Sequence, residues 1–188
     1  MKTVSYEEFL KLDPRRFCKK GCVARIKACF KRFGGSMSAL DILTLANVSA
    51  EDKLWVVLLE EFIPAPTLHE FACVCAEYAL TLVNNPDQRS IKVIEVKRAW
   101  LRGEATDEEL VAAWDAARAA PRAAWVAWAT ASDANDAAWA AATASASSAA
   151  RAAATWASSD AAWAAENAWN AVCEAQVAYL IMVLEEEK

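Results

Sequence analysis

The chain is predicted to be all-α: a multi-helix domain that ends in long antiparallel helices rich in alanine and tryptophan. Three observations carry that prediction. Alanine accounts for 44 of the 188 residues, and 33 of those lie between Ala112 and Ala178. Alanine is the best helix former because it loses no rotamer freedom and buries no polar group. Only four glycines and five prolines are present, and none lies beyond Pro121, so the C-terminal third runs on without a strong breaker. Through most of the chain, apolar residues recur at helical rather than alternating spacing.

The elements follow in order. Up to Phe33 the sequence reads as one or two short helices, with Phe17, Val23, Ile26, Cys29, Phe30 and Phe33 near helical spacing and Gly34-Gly35 as the stop. A Ser36/Ser38 start opens a short segment with Leu40, Ile42, Leu43 and Leu45. Ser49 is an N-cap for the run Leu54-Trp55-Val56-Val57-Leu58-Leu59, which is apolar on every side and is expected in the core. Pro64-Ala65-Pro66 is a hard break. Thr67 and Glu70 then form an expected capping box for a helix carrying Leu68, Phe71, Cys75, Leu80 and Leu82, ended by Asn84-Asn85-Pro86. A further helix fits Arg89 to Arg102, with Gly103 as its stop. Thr106 and Glu109 make a second capping box, and Pro121 begins the next helix.

From Pro121 to Glu185 two long helices are expected, packed antiparallel. Their turn is placed at Thr143–Ser148, where hydroxyl residues compete with the backbone for hydrogen bonds. DAAWAA occurs twice here, at Asp136–Ala141 and Asp160–Ala165. Trp128 precedes Trp139 by eleven residues and Trp156 precedes Trp163 by seven; both spacings return to one helix face within about 20°. Small alanine faces let helices approach closely, and each tryptophan fills the space left over. Cys173, Val177, Leu180 and Leu184 form a final apolar stripe. The acids Glu185-Glu186-Glu187 oppose the helix dipole, so the last turn is expected to fray.

Charge divides the chain into a basic N-terminal helical segment, 1–35, and a helical domain, 36–188. The first carries a net +7 and the second a net −12. This describes a basic helix docked on a mildly acidic body, or a basic face for an acidic partner or nucleic acid. No stretch offers about 18 uncharged apolar residues, and Glu7 and Glu8 stand where a secretory signal would be apolar. A cytoplasmic protein that does not use a membrane is expected. The six cysteines, Cys18, Cys22, Cys29, Cys73, Cys75 and Cys173, are expected as reduced and mostly buried thiols.

No catalytic constellation emerges. His69 is the sole histidine, so any Ser–His–Asp or Cys–His arrangement would have to use it. It shares a helix face with Cys73, while Cys75 points about 200° away from Cys73. A structural zinc needs four ligands, so these residues are expected in the core, with no metal and no cofactor. Cys18 and Cys22 lie beside Lys19 and Lys20, which favours a thiolate, but nothing nearby supplies a base. Gly34-Gly35 is a turn rather than a phosphate loop. The protein is therefore read as a binder and not an enzyme.

The nine tryptophans are the unusual feature. They are core packing between alanine-rich helices, or they line an aromatic pocket. In the second case the ligand-binding residues would be Trp125, Trp128, Trp139, Trp156 and Trp163 for stacking, with Arg118, Arg122 and Arg151 to grip a phosphate or carboxylate.

Several segments carry a resemblance: Ser38-Ala-Leu-Asp-Ile-Leu, Val48-Ser-Ala-Glu-Asp-Lys-Leu-Trp-Val-Val-Leu, Leu68-His-Glu-Phe-Ala-Cys-Val-Cys-Ala-Glu-Tyr-Ala-Leu, Asp87-Gln-Arg-Ser and Gly103-Glu-Ala-Thr-Asp-Glu-Glu-Leu, with the Ala/Trp/Arg-rich tail. Together, over roughly residues 36–183, they resemble a family of bacterial and phage immunity proteins. The resemblance implies a small non-enzymatic helical protein that neutralises a toxin or another conflict-system component.

The expected function is thus a non-catalytic antagonist that binds a protein toxin or defence protein and acts by occlusion. The alternative is a phage anti-defence protein that sequesters a small nucleotide signal in a Trp/Arg-lined pocket. Nucleic acid is a weaker third partner. A homodimer is expected, because the C-terminal helices offer more apolar face than one antiparallel partner need cover.

Overall fold

The structure is a computed structural model that describes residues 2–12, 22–83, 85–118, 134–156 and 161–186, with side chains at these positions apart from 22–25, 135, 151–156 and 161–164. Among the described residues it contains nine helices and one small two-stranded sheet. The all-α class is what the sequence predicts.

The sheet was not foreseen. Strand β1 (Thr3–Ser5) pairs antiparallel with β2 (Ser36–Ser38), placing Val4 opposite Met37. Three residues are too few for period-two alternation to stand out in a sequence. Among the described residues, two helices lie between the strands, α1 (Tyr6–Lys11) and α2 (Cys22–Arg32). Ser5 caps α1 in a full capping box with Glu8. After α2, Gly34 and Gly35 take φ of +74° and +95°, which costs glycine nothing. This reversal brings the Gly35 carbonyl to the Tyr6 N–H at 3.0 Å. Tyr6 and Phe9 close on Phe30, with ring centroids 5.6 and 5.5 Å apart. The sheet spans the boundary read at 35/36.

Ser38 caps α3 (Ala39–Leu43) through a box with Asp41, and Ser49 caps α4 (Ala50–Val57) by accepting the Asp52 N–H at 3.1 Å. The apolar run from Leu54 is a core element, as predicted: Leu54, Val56, Val57 and Leu58 are buried. The next helix, α5 (Ala65–Thr81), corrects the first capping box. Its N-cap is Pro64 with no side-chain cap bond, and proline occupies the first turn. Proline lacks an N–H and is pre-set to the helical φ, so α5 starts two residues before Thr67. Glu70 bonds instead to Arg98 of α6 (Gln88–Leu101). Gly103, at φ +74°, stops α6: its N–H reaches Trp100 O at 2.9 Å and the Glu104 N–H reaches Ala99 O at 2.8 Å. The predicted box of Thr106 and Glu109 forms at the start of α7 (Asp107–Arg118).

The C-terminal pair consists of α8 (Ala134–Trp156) and α9 (Ala161–Glu186). The helix start predicted at Pro121 lies outside the described residues. The pair is antiparallel, since Gln176 of α9 bonds back to Ala142 and Ser145 of α8. The turn predicted at Thr143–Ser148 is wrong: that stretch is the middle of α8. Its hydroxyls turn back on the helix, with Thr143 donating to Trp139 O at 3.0 Å, Ser145 to Ala142 O at 2.9 Å and Ser148 to Ala144 O at 2.8 Å. Bonded this way they no longer compete with the helical ladder. Helix α9 runs to Glu186, and Glu187, the last of the three acids, lies outside the described residues.

Helix α8 packs between α5 and α9. Its Ala137, Ala138, Ala141, Ala142 and Ala146 are all buried, so both neighbours approach the backbone closely, as short side chains permit. The stripe Cys173, Val177, Leu180 and Leu184 belongs to the same core, and α9 also packs on α3 and α4. That stripe, part of the apolar face from which a homodimer is expected, is covered within the chain.

Candidate functional site

Two of the nominated pocket residues have described side chains, and each is engaged with a different ring. The Arg118 guanidinium lies 4.5 Å from the centroid of Trp114, four residues earlier on α7. Trp139 is partly buried on α8 and meets Trp55 of α4, the rings tilted by 39°. Arg122, Trp125 and Trp128 lie outside the described residues. Arg151 and Trp156 fall on α8 and Trp163 on α9, where the description covers backbone alone.

Helix α5 holds the groups with most chemical potential, and the fold uses them as packing. His69 is buried, with the Trp100 ring edge-on to it at 5.8 Å. Cys73 and Cys75 are also buried. Burial pushes the Cys73 thiol up to about 12, helped by the charge of Glu70, and raises Cys75 by the same cause. Cys173 is pushed up by burial to about 11. These thiols hold their protons, whereas a nucleophile or metal ligand must lose its own. Among the described residues, no group of three His, Cys, Asp or Glu is placed to hold a metal.

Behind α5 the sequence reading missed a buried lysine. Lys97 of α6 is fully buried and its Nζ sits 4.1 Å from the Trp100 centroid. Burial lowers its pKa to about 8. One helical position on, Arg98 reaches the other way, bonding Glu70 and Glu77 on α5. The spacing of the two glutamates puts them on one face of α5, but nothing in the sequence says which arginine answers them.

A cleft of about 430 Å³ lies between α5, α8 and α9. From α5 come Phe71, Val74, Cys75 and Tyr78; Ser145 and Ala149 come from α8, and Gln176 and Tyr179 from α9. Phe71 and Tyr179 stack, with centroids 6.2 Å apart and planes 30° from parallel. Exposed Tyr78, Ala171 and Ala175 stand at its rim. Among the described residues, no carboxylate, ammonium or guanidinium lines it.

One polar anchor sits in this wall. Gln176 is 7% exposed, and its Nε2 donates to Ala142 O at 3.1 Å and to Ser145 Oγ at 2.7 Å. Ser145 has given its own proton to Ala142 O, so both neighbours can only accept, and the orientation of the amide is set. The Gln176 Oε1 is buried without a hydrogen-bond partner. The available sequence signal was a lone amide next to an apolar stripe at Cys173 and Val177.

Among the described residues, no helix is long and apolar enough to cross a membrane. No protein-family model, curated protein or solved structure matches the chain.

Proposed function

We propose that the chain is a non-catalytic binding protein that neutralises a conflict-system component, a toxin or a defence protein, by occlusion, and that it grips this target at the cleft between α5, α8 and α9. The observation that carries this reading is the cleft: open, ring-walled, apolar and, among the described residues, lined by no group set up to make or break a bond. The nearest thiol, Cys75, is held protonated by burial. Binding sites are concave and mostly apolar with few polar groups, which is how this one is built. The resemblance to immunity proteins supplies the setting.

The alternative, sequestration of a nucleotide signal, draws less support. Arg118 is already seated on Trp114, and among the described residues the cleft offers no cation to offset a phosphate.

Stoichiometry tests the proposal. A protein that acts by occlusion neutralises its target one-to-one, so inhibition of the toxin or defence protein it antagonises should titrate to a sharp end-point at one equivalent. Ala175→Trp, at an exposed rim position, should abolish it while leaving the melting temperature in place. Neutralisation by a small fraction of an equivalent would mean turnover and would end the reading.

A further inference from the structure

We infer that a second pocket, between α2, α3 and α4, receives the side chain of a lysine on a protein partner, with the hydrocarbon stem on its apolar floor and the ammonium on the Asp52 carboxylate. The inference rests on the reading of the chain as a protein binder and adds a contact apart from the cleft between α5, α8 and α9.

Size, floor and rim select this occupant. The pocket holds about 200 Å³, below the roughly 300–1,000 Å³ of small-molecule sites and suited to one side chain. Phe30, Met37, Ile42 and Val56 form its floor, and all four are buried. One side of the lining is polar: Asn47 and Ser49 come from the segment before α4, and Asp52 from its first turn. Asn47 and Ser49 are exposed and Asp52 is half-buried, so an incoming group can reach them. Asp52 stands one turn before Val56 on the same face of α4, so its side chain leaves the helix on the pocket's side. Its backbone N–H is taken by Ser49 Oγ at 3.1 Å, but among the described residues its carboxylate has no hydrogen-bond or ion-pair partner. Lys27 of α2 lies against the Tyr6 ring instead, with Nζ 5.9 Å from the centroid.

A carboxylate half withdrawn from water and left unpaired gains from a cation. An occupant must therefore be apolar along its length and positive at its tip. Lysine is built that way, since its stem lies on hydrocarbon while the head stays at the wet edge. Its three rotatable donors suit three separate oxygens, on Asn47, Ser49 and Asp52, better than the rigid planar fork of a guanidinium does.

The test titrates four probes into ¹⁵N-labelled full-length protein and follows amide shifts by NMR. The probes are the N-acetyl methylamides of lysine, norleucine and arginine, and n-butylamine. The lysine probe should shift the Asn47 side-chain amide and the backbone signals of Cys29, Val48 and Asp52. The norleucine probe keeps the stem but lacks the ammonium, and should bind about fivefold more weakly. Asp52→Asn should bring the lysine probe down to the norleucine level and leave norleucine unchanged.

Equal binding of the lysine and norleucine probes to the wild type would overturn the recognition of charge, and a lysine preference that survives in Asp52→Asn would overturn the role of Asp52. Tighter binding of the arginine probe would overturn the choice of lysine. Binding of butylamine without the lysine probe would make the occupant a free amine and overturn the protein source. No shifts with any probe at millimolar concentration would overturn the inference, while the one-to-one neutralisation assay would still decide the occlusion reading separately.

Discussion

Replacing Lys97 with methionine should change how stability depends on pH in a direction that the buried charges dictate. Lys97 has an ordinary pKa of 10.5 and is held at about 8 in the fold, because burial disfavours its charged form. The unfolded chain therefore binds the extra proton between those values, and native stability rises with pH through that window. The three buried thiols act in the opposite sense. Their ordinary value is 9.0; burial raises Cys73 to about 12 and Cys173 to about 11, and raises Cys75 as well. The stability they contribute is complete below pH 9 and is lost as pH climbs towards the folded values. At about 1.4 kcal/mol per pH unit per group, the lysine adds roughly 3 kcal/mol by pH 10 while the thiols together remove roughly 4 kcal/mol. The wild type should therefore be nearly level from pH 7 to 9 and lose about 1–2 kcal/mol by pH 10. Lys97→Met lacks the offset and should lose about 4 kcal/mol over the same range. Urea unfolding at pH 7, 9 and 10, under a reductant that is active in alkali, measures both. Parallel curves for the two proteins would refute the reasoning, since they would mean that Lys97 titrates alike in the folded and unfolded chain.

Gly103→Ala should cost about 1–2 kcal/mol, because an L-residue at φ +74° is strained; a calorimetric melting temperature equal to wild type would contradict it. Arg98→Met keeps the aliphatic stem but removes the pairs to Glu70 and Glu77, and should cost about 1–2 kcal/mol. That loss should shrink in 1 M salt, since the carboxylates are partly exposed, and a difference unmoved by salt would point to packing instead.

The helical plan was legible where local chemistry alone sets it. Ser49, Gly103 and the Thr106–Glu109 box act through bonds within a few residues, and each forms as read. The errors came where a local signal met a stronger constraint. Thr67 and Glu70 have the right spacing for a box, but the prolines before them start the helix earlier, and Arg98 claims the glutamate. Thr143–Ser148 has turn composition, but long alanine flanks hold it helical and its hydroxyls bond to their own helix. The cleft was harder to foresee, because its walls come from three helices far apart in sequence. The tryptophans drew attention by number, yet Trp139 and Trp55 pack on each other, and Trp100 lies between His69 and Lys97. Gln176 and Lys97 gain their meaning from burial, which single residues in a helical pattern do not announce.

Alanine explains both the close packing of α8 and the opening beside it, and one substitution made at two positions separates these effects. Ala146 is fully buried between helices that approach because its side chain is a single methyl. A leucine there must push α5 or α9 away, and overpacking of this kind costs about 1–3 kcal/mol. Ala149 lies one turn on, on the same side of α8, but faces the cleft, across which Ala168, Ala171 and Ala175 are equally short. The same leucine there meets space instead of a neighbour. Each added carbon, fully buried, is worth about 0.8 kcal/mol. With three carbons in a cleft that remains open, a gain of about 1 kcal/mol is expected. Ala146→Leu should therefore lower the unfolding midpoint and Ala149→Leu should raise it. If both substitutions destabilise alike, α8 is packed evenly along its length and the cleft is not the gap that short side chains leave. Opposite signs from one chemical change, three residues apart, would tie the binding site to the composition that makes the helix.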